Sequence, residues 1–184
     1  GDFLDAELTG LARKDTAAGR TVARLTRSRR SDGEVALTEG RRDEESETEE
    51  AESDIPEIVV MASGNLGHVT FPREPGRVTL ERIQELHPAL LHGLRTHPGI
   101  AFALVRSETR GAVALGADGA HWLDEGVVEG VDPLLPFGPR AADHVRRTDG
   151  FRTCPDIVVN STYWAETDEV AAFEELVGSH GGVG

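Results

Sequence analysis

"IAFALVRS", residues 100–107, decides how the rest of the chain is read. Its first six residues are apolar without a break. A run this short and this continuous predicts a strand buried on both sides, placed centrally in a sheet. Upstream of it, "EIVVMAS" (57–63) is a short apolar strand, "GNLG" a turn and "HVTF" a second strand. "TLERIQEL" comes next, with Thr79 placed to cap a helix and Leu80, Ile83 and Leu86 along one face. Pro88 disfavours helical geometry at His87, so a break is expected there, with a second short helix running from Pro88 to about Arg95.

Downstream, "GAVALGADGAHWL" (111–123) predicts another strand and a turn. "DPLLPFGPRAADHVRRTDGF" reads as a loop and then a helix from about Pro139 to Arg147, and "PDIVVNSTYW" (155–164) as a buried strand ending in polar residues. "EVAAFEELVGSHGG" supports either a helix, through Val170, Phe173 and Leu176, or an edge strand over Val170–Phe173. The fold class expected of residues 56–184 is therefore α/β.

Two other segments precede this block. Residues 1–31 space Phe3, Leu4, Leu8, Leu11, Val22 and Leu25 as an amphipathic helix, loosened near Gly19. Its second half holds Arg20, Arg24, Arg27, Arg29 and Arg30, which suits a solvated helix tail running into a linker, with a membrane-surface or nucleic-acid contact as the alternative. Residues 32–55 form a dense acidic run with almost no large apolar groups, expected to be a disordered linker.

That run supplies much of the net charge of −14, which opposes nonspecific nucleic-acid binding by phosphate repulsion. A single cysteine, Cys154, excludes an internal disulfide framework and a thiolate metal cluster; a small, buried apolar role is expected of it. No stretch approaches the roughly 18 apolar residues of a transmembrane helix, so membrane attachment is expected only through segments outside this chain.

Several polar groupings invite a chemical reading. His87, His92 and His97 recur every five residues, which turns successive side chains roughly 140° apart on a helix, so they are not expected to share a metal. Asp143-His144 lies within the amphipathic helix between Arg140 and Arg146 and reads as surface. Asp118 and His121, in "DGAH", read as a turn. Ser63, before a glycine turn, could border an anion cradle or belong to a tight hairpin. Glycines around His180 in "GSHGG" free the backbone to present an imidazole from a loop, which suits a metal ligand.

Taken in order, "MASGNLGHVTFPREPGRVTLERI", "HPGIAFALVRS", "DPLLPFGPRAADHVRRTDGF", "PDIVVNSTYW" and "AFEELVGSHGG" resemble the C-terminal part of bacterial proteins of the alkaline phosphatase superfamily. The likeness is to the type I phosphodiesterase/nucleotide pyrophosphatase branch, versions of which often carry membrane helices ahead of the catalytic domain. It covers about residues 56–184, and "VGSHGG" and "PDIVVNS" are its more specific parts. The resemblance implies an α/β sandwich, two zinc ions, a phosphate-ester substrate and a phospho-enzyme intermediate on a Thr or Ser nucleophile. It implies that His180 is the last zinc ligand. Nothing in this chain matches the family's nucleophile, its early Asp, its Asp-x-x-x-His or its "DHG" pair. The expectation is a C-terminal fragment, inactive alone, that works with the remainder of the same catalytic domain. Asp156 and Asn160, near the end of their strand, match no family motif and are expected to be structural. The competing expectation is a non-catalytic binding module that keeps the sheet.

Overall fold

The computed structural model describes residues 55–173 and 180–183. The expected helix over 1–31 and all of the acidic linker except Ile55 lie outside the described residues, as do residues 174–179. Among the described residues, the regular structure belongs to one compact unit, Pro56–Gly184.

This unit is a mixed α/β fold with one large, wholly antiparallel sheet. In chain order its strands are β1 (Val59–Ser63), β2 (Leu66–Thr70), β3 (Ile100–Ser107), β4 (Gly111–Leu115), β5 (Gly119–Trp122), β6 (Val127–Gly130) and β7 (Ile157–Ser161). They lie side by side as β1-β2-β7-β3-β4-β5-β6. β8 (Tyr163–Trp164) and β9 (Glu169–Val170) form a separate two-stranded ribbon. Three helices are described: α1 (Leu80–Leu86), α2 (Leu90–Thr96) and α3 (Ala141–Asp149), with a 3-10 turn at Leu135–Phe137.

β3 takes the middle of the seven places, as its unbroken apolar run predicts. Alternation along it sends Ala103 and Val105 to one face and Phe102 and Leu104 to the other. On the first face they meet Ile83 of α1 and Leu91 of α2; on the second they meet Ala141 and Val145 of α3. Helices thus cover both faces of the sheet's centre, and every apolar residue of β3 from Phe102 to Val105 is buried. At about 1.5–3 kcal/mol for each large apolar side chain removed from water, this two-sided packing is what fixes the strand order.

The chain breaks between α1 and α2 where Pro88 forbids a continuous helix. Thr79 caps α1, its hydroxyl accepting from the Arg82 N–H at 3.4 Å. α3 begins and ends two residues later than the sequence predicts, just past Gly138, whose φ is +87°. The stretch "GVVEG", for which the sequence offers no half-buried alternation, adds a strand, β6, whose four residues are all exposed. Neither alternative holds over Val170–Phe173: Val170 belongs to the β8–β9 ribbon and residues 171–173 take no regular structure, while Leu176, through which the helix alternative continues, lies outside the described residues.

Asp156 sits just before β7 rather than near its C-terminal end, which corrects the sequence placement. Its carboxylate accepts the N–H of Phe71 at 2.8 Å and of Val78 at 2.6 Å. One buried side chain therefore fastens both ends of the loop that leads from β2 to α1.

Candidate functional site

Three pieces of chain meet at the C-terminal end of β7. The first is the β1–β2 hairpin, closed by the pair Ser63–Leu66 around only two residues, Gly64 and Asn65. Gly64 has φ +60°, the left-handed value that the first position of a tight II′ hairpin requires. The second is Asn160-Ser161, the end of β7, which pairs with Leu66 through Asn160. The third is the loop of residues 180–183.

Backbone hydrogen bonds knit them together. The Asn65 N–H donates to the His180 carbonyl at 3.0 Å, and the Ser161 N–H donates to the Asn65 carbonyl at 3.0 Å. The Gly64 carbonyl accepts from the Phe173 N–H at 2.8 Å. Asn160, only 1% exposed, receives the Val183 N–H on Oδ1 at 2.8 Å and donates from Nδ2 to the Ser161 carbonyl at 3.0 Å. The loop is thus held at both ends, by Asn65 at His180 and by Asn160 at Val183.

The glycines are what allow this approach. A Cβ on Gly64 would stand 2.2 Å from the His180 carbonyl oxygen, which no side chain tolerates. A Cβ on Gly182 would fall 2.7 Å from Asn65 Nδ2 and 2.9 Å from Asn160 Oδ1. Gly181, at φ +91°, turns the chain between them. The outcome is an exposed His180 on a loop pinned to the sheet. Such an arrangement can present an imidazole to a metal or a substrate at low entropic cost, because the backbone is already ordered.

A zinc ion needs about three protein ligands even in an open catalytic site. Among the described residues, no group of three or more His, Cys, Asp or Glu side chains converges to hold one. His180 by itself therefore falls short of a zinc site, and further ligands would have to come from elsewhere.

The other candidate residues are dispersed. His87 stacks on Phe71, with ring centroids 5.3 Å apart, and its Nε2 lies 3.7 Å from Glu57. His97 accepts the Gly99 N–H on Nδ1 at 3.1 Å, and His92 is exposed on α2. These three rings face different neighbours, as their five-residue spacing predicts. Asp143 and His144 are exposed on α3, with Asp143 3.5 Å from Arg146. Asp118 lies in the β4–β5 turn, while His121 pairs instead with Asp132 at 3.1 Å. Ser63 closes the hairpin. Cys154 is partly buried against the α3 side of the sheet, and burial pushes its thiol pKa up.

Sequence reasoning missed Asn65 and took Asn160 for a generic structural residue. A buried Asn at the end of the apolar strand "IVVNS" is the one signal the sequence offers, since such a side chain must find partners. A second missed feature is Asp149, buried at the end of α3 between Arg77, at 2.7 Å, and Arg106. It ties α3 to β3 and to the loop before α1. Among the described residues, no helix is long and apolar enough to cross a membrane. Compared with protein-family models, with curated proteins and with solved structures, the chain matches none.

Proposed function

We propose that this chain is the C-terminal part of a metal-dependent hydrolase of phosphodiester or phosphomonoester bonds, of the alkaline-phosphatase-like sandwich type, with His180 as one zinc ligand. The observation that carries the reading is the pinned loop. His180 stands exposed between glycines, with its carbonyl held by Asn65 and the loop's far end held by Asn160. The sequence likeness of residues 56–184 to the phosphodiesterase/nucleotide pyrophosphatase branch supports it. In that chemistry two zinc ions, when bound, acidify the attacking hydroxyl or water and neutralise charge on the phosphoryl oxygens. The residues of this chain would orient one imidazole and keep it in register with the sheet; the nucleophile and the other ligands belong to the remainder of the domain. Alone, the chain is expected to be inactive.

The second reading, a non-catalytic binding module, draws on the sheet having a packed core on both faces from its own residues. One variant separates the two. In the complete gene product, His180→Ala should lower hydrolysis of bis(p-nitrophenyl) phosphate at least a hundredfold and reduce bound zinc. Wild-type turnover and zinc content in that variant would refute the ligand assignment. A wild-type product that neither hydrolyses the ester nor binds zinc would favour the module.

A further inference from the structure

A second imidazole is set up for chemistry away from the His180 loop, on β5. His121 shares a sheet face with Leu123 and lies opposite Ala120 and Trp122, so its ring is on the face that carries α3. Its Nδ1 stands 3.1 Å and 3.2 Å from the two carboxylate oxygens of Asp132. A carboxylate only accepts hydrogen bonds, so Nδ1 carries the proton. In the neutral ring the free lone pair is then on Nε2. That atom has no partner among the described residues and is not closed off from solvent, and the side chain is 14% exposed.

Both members of the pair are held in place. Asp132 Oδ1 also accepts the Leu134 N–H at 2.9 Å, and Leu134 is buried in the core on the same face. The turn that brings Asp132 round begins at Gly130, with φ +75°, where a Cβ would fall 2.3 Å from the Asp118 carbonyl oxygen. His121 itself sits on a strand paired on both sides, with β4 and with β6. His97, by contrast, accepts a backbone N–H on Nδ1, and His92 and His144 are exposed.

The neighbours of the ring decide which electrophile suits it. The Val131 N–H donates to the Asp118 carbonyl at 3.1 Å, so by alternation His121 and Val128 form a non-hydrogen-bonded pair, the kind whose side chains stand closest. Val128 is 42% exposed. An incoming group therefore meets an apolar wall beside the ring and a negative charge behind it. An anionic phosphoryl donor is repelled by that charge and loses water against the valine. A neutral acyl group suffers neither cost.

We propose that His121 is a nucleophile toward neutral activated acyl groups, with Asp132 as its positioning residue. An imidazole acting alone displaces only good leaving groups, so the substrates are aryl esters and acid anhydrides. The Nε2 lone pair attacks the acyl carbon, a C–N bond forms, and the C–O bond to the aryl group breaks as phenolate leaves. The acyl-imidazolium keeps its Nδ1–H on Asp132, whose charge offsets that of the ring. Water then adds to the acyl carbon, the C–N bond breaks, and the carboxylic acid departs with the Nε2 lone pair restored. His180 takes no part in this reaction.

Hydrolysis of p-nitrophenyl acetate by the 184-residue chain tests it, at mildly alkaline pH where imidazoles are neutral. The chain has seven histidines, so equal reactivity would make His121→Gln cost only about one-seventh of the rate. A fall of about threefold or more is expected, in a variant whose circular dichroism matches the wild type. An unchanged rate overturns the proposal. Diethyl pyrocarbonate, a neutral anhydride, needs no variant, because mass spectrometry reads how fast each wild-type histidine gains a carbethoxy group. Despite its lower exposure, His121 should react about threefold faster than His92 and His144. A slower reaction than both, the order that burial alone dictates, also overturns the proposal. Asp132→Ala should slow His121 to below His92 and His144, leave those two unchanged, and lower the Nδ1–H population read from the His121 nitrogen shifts. If that variant keeps the wild-type His121 rate, or if the wild-type ring holds its proton on Nε2, the pair merely ties β5 to the loop after β6 and the proposal fails.

Discussion

Replacing Asp156 by Ala should be among the most damaging single changes outside the apolar core. The side chain is 5% exposed and accepts two buried backbone N–H groups, from Phe71 and Val78. Both donors flank a six-residue loop and belong to buried residues. Leaving a buried donor unsatisfied costs about 1–3 kcal/mol, and hydrogen bonds to a charged group sit at the upper end of that range. Two such losses amount to about 4 kcal/mol, a large share of the 5–15 kcal/mol by which domains are stable. For a domain of this size that corresponds to a fall in Tm of about 15 °C. Asp156→Asn, which keeps one acceptor oxygen but turns an NH2 group toward the second donor, should fall between the two. Thermal unfolding followed by circular dichroism reads both. If Asp156→Ala unfolds within about 3 °C of the wild type, the carboxylate does not hold the loop and the bridging argument fails.

Gly64→Ala combines a strained φ of +60° with a contact of 2.2 Å to the His180 carbonyl. A loss of about 1–3 kcal/mol is expected from the backbone strain alone, and the 180–183 loop should detach, seen as faster exchange of the Val183 amide. Wild-type protection at Val183 in that variant would show that the loop does not depend on the close approach. Cys154 gives a pH-dependent test. Burial raises its thiol pKa in the folded state, so the folded protein disfavours the thiolate. The stability tied to the protonated thiol is complete below the ordinary thiol value of about 8.5 and is lost as pH rises through the higher folded value. Cys154→Ala should therefore show a shallower decline in Tm from about pH 8 to about pH 10 than the wild type. Parallel declines would remove the thiol as the cause.

What could be read in advance came from local physics. The run at 100–105, the break at Pro88 and the cap at Thr79 each depend on neighbours within a few residues, and each appears where the sequence puts it. β6 could not be read, because its four exposed residues lack the apolar alternation that marks a half-buried strand. It forms by pairing with β5, a partner supplied by tertiary context. The apparent strand over 155–164 divides for a similar reason: Ser161 ends the pairing with β3, and Tyr163–Trp164 turns to pair with Glu169–Val170.

The candidate site shows the same division more sharply. His180 stands out because glycines surround it, a signal contained in five residues. Asn65 and Asn160 lie 95 residues apart in number, and each looks like an ordinary turn or strand-end residue by itself. Their roles arise from the strand order, since β2 pairs with β7 and so sets the hairpin turn beside Asn160. Only then can one backbone amide and one side-chain oxygen clasp the two ends of the 180–183 loop. The same dependence explains why Gly64 cannot be exchanged. Its φ is a local requirement of the turn, but the carbonyl 2.2 Å from a would-be Cβ belongs to a residue 116 positions later. The hairpin glycine thus serves the turn and the loop together, so a variant tolerated by an isolated hairpin should still fail here.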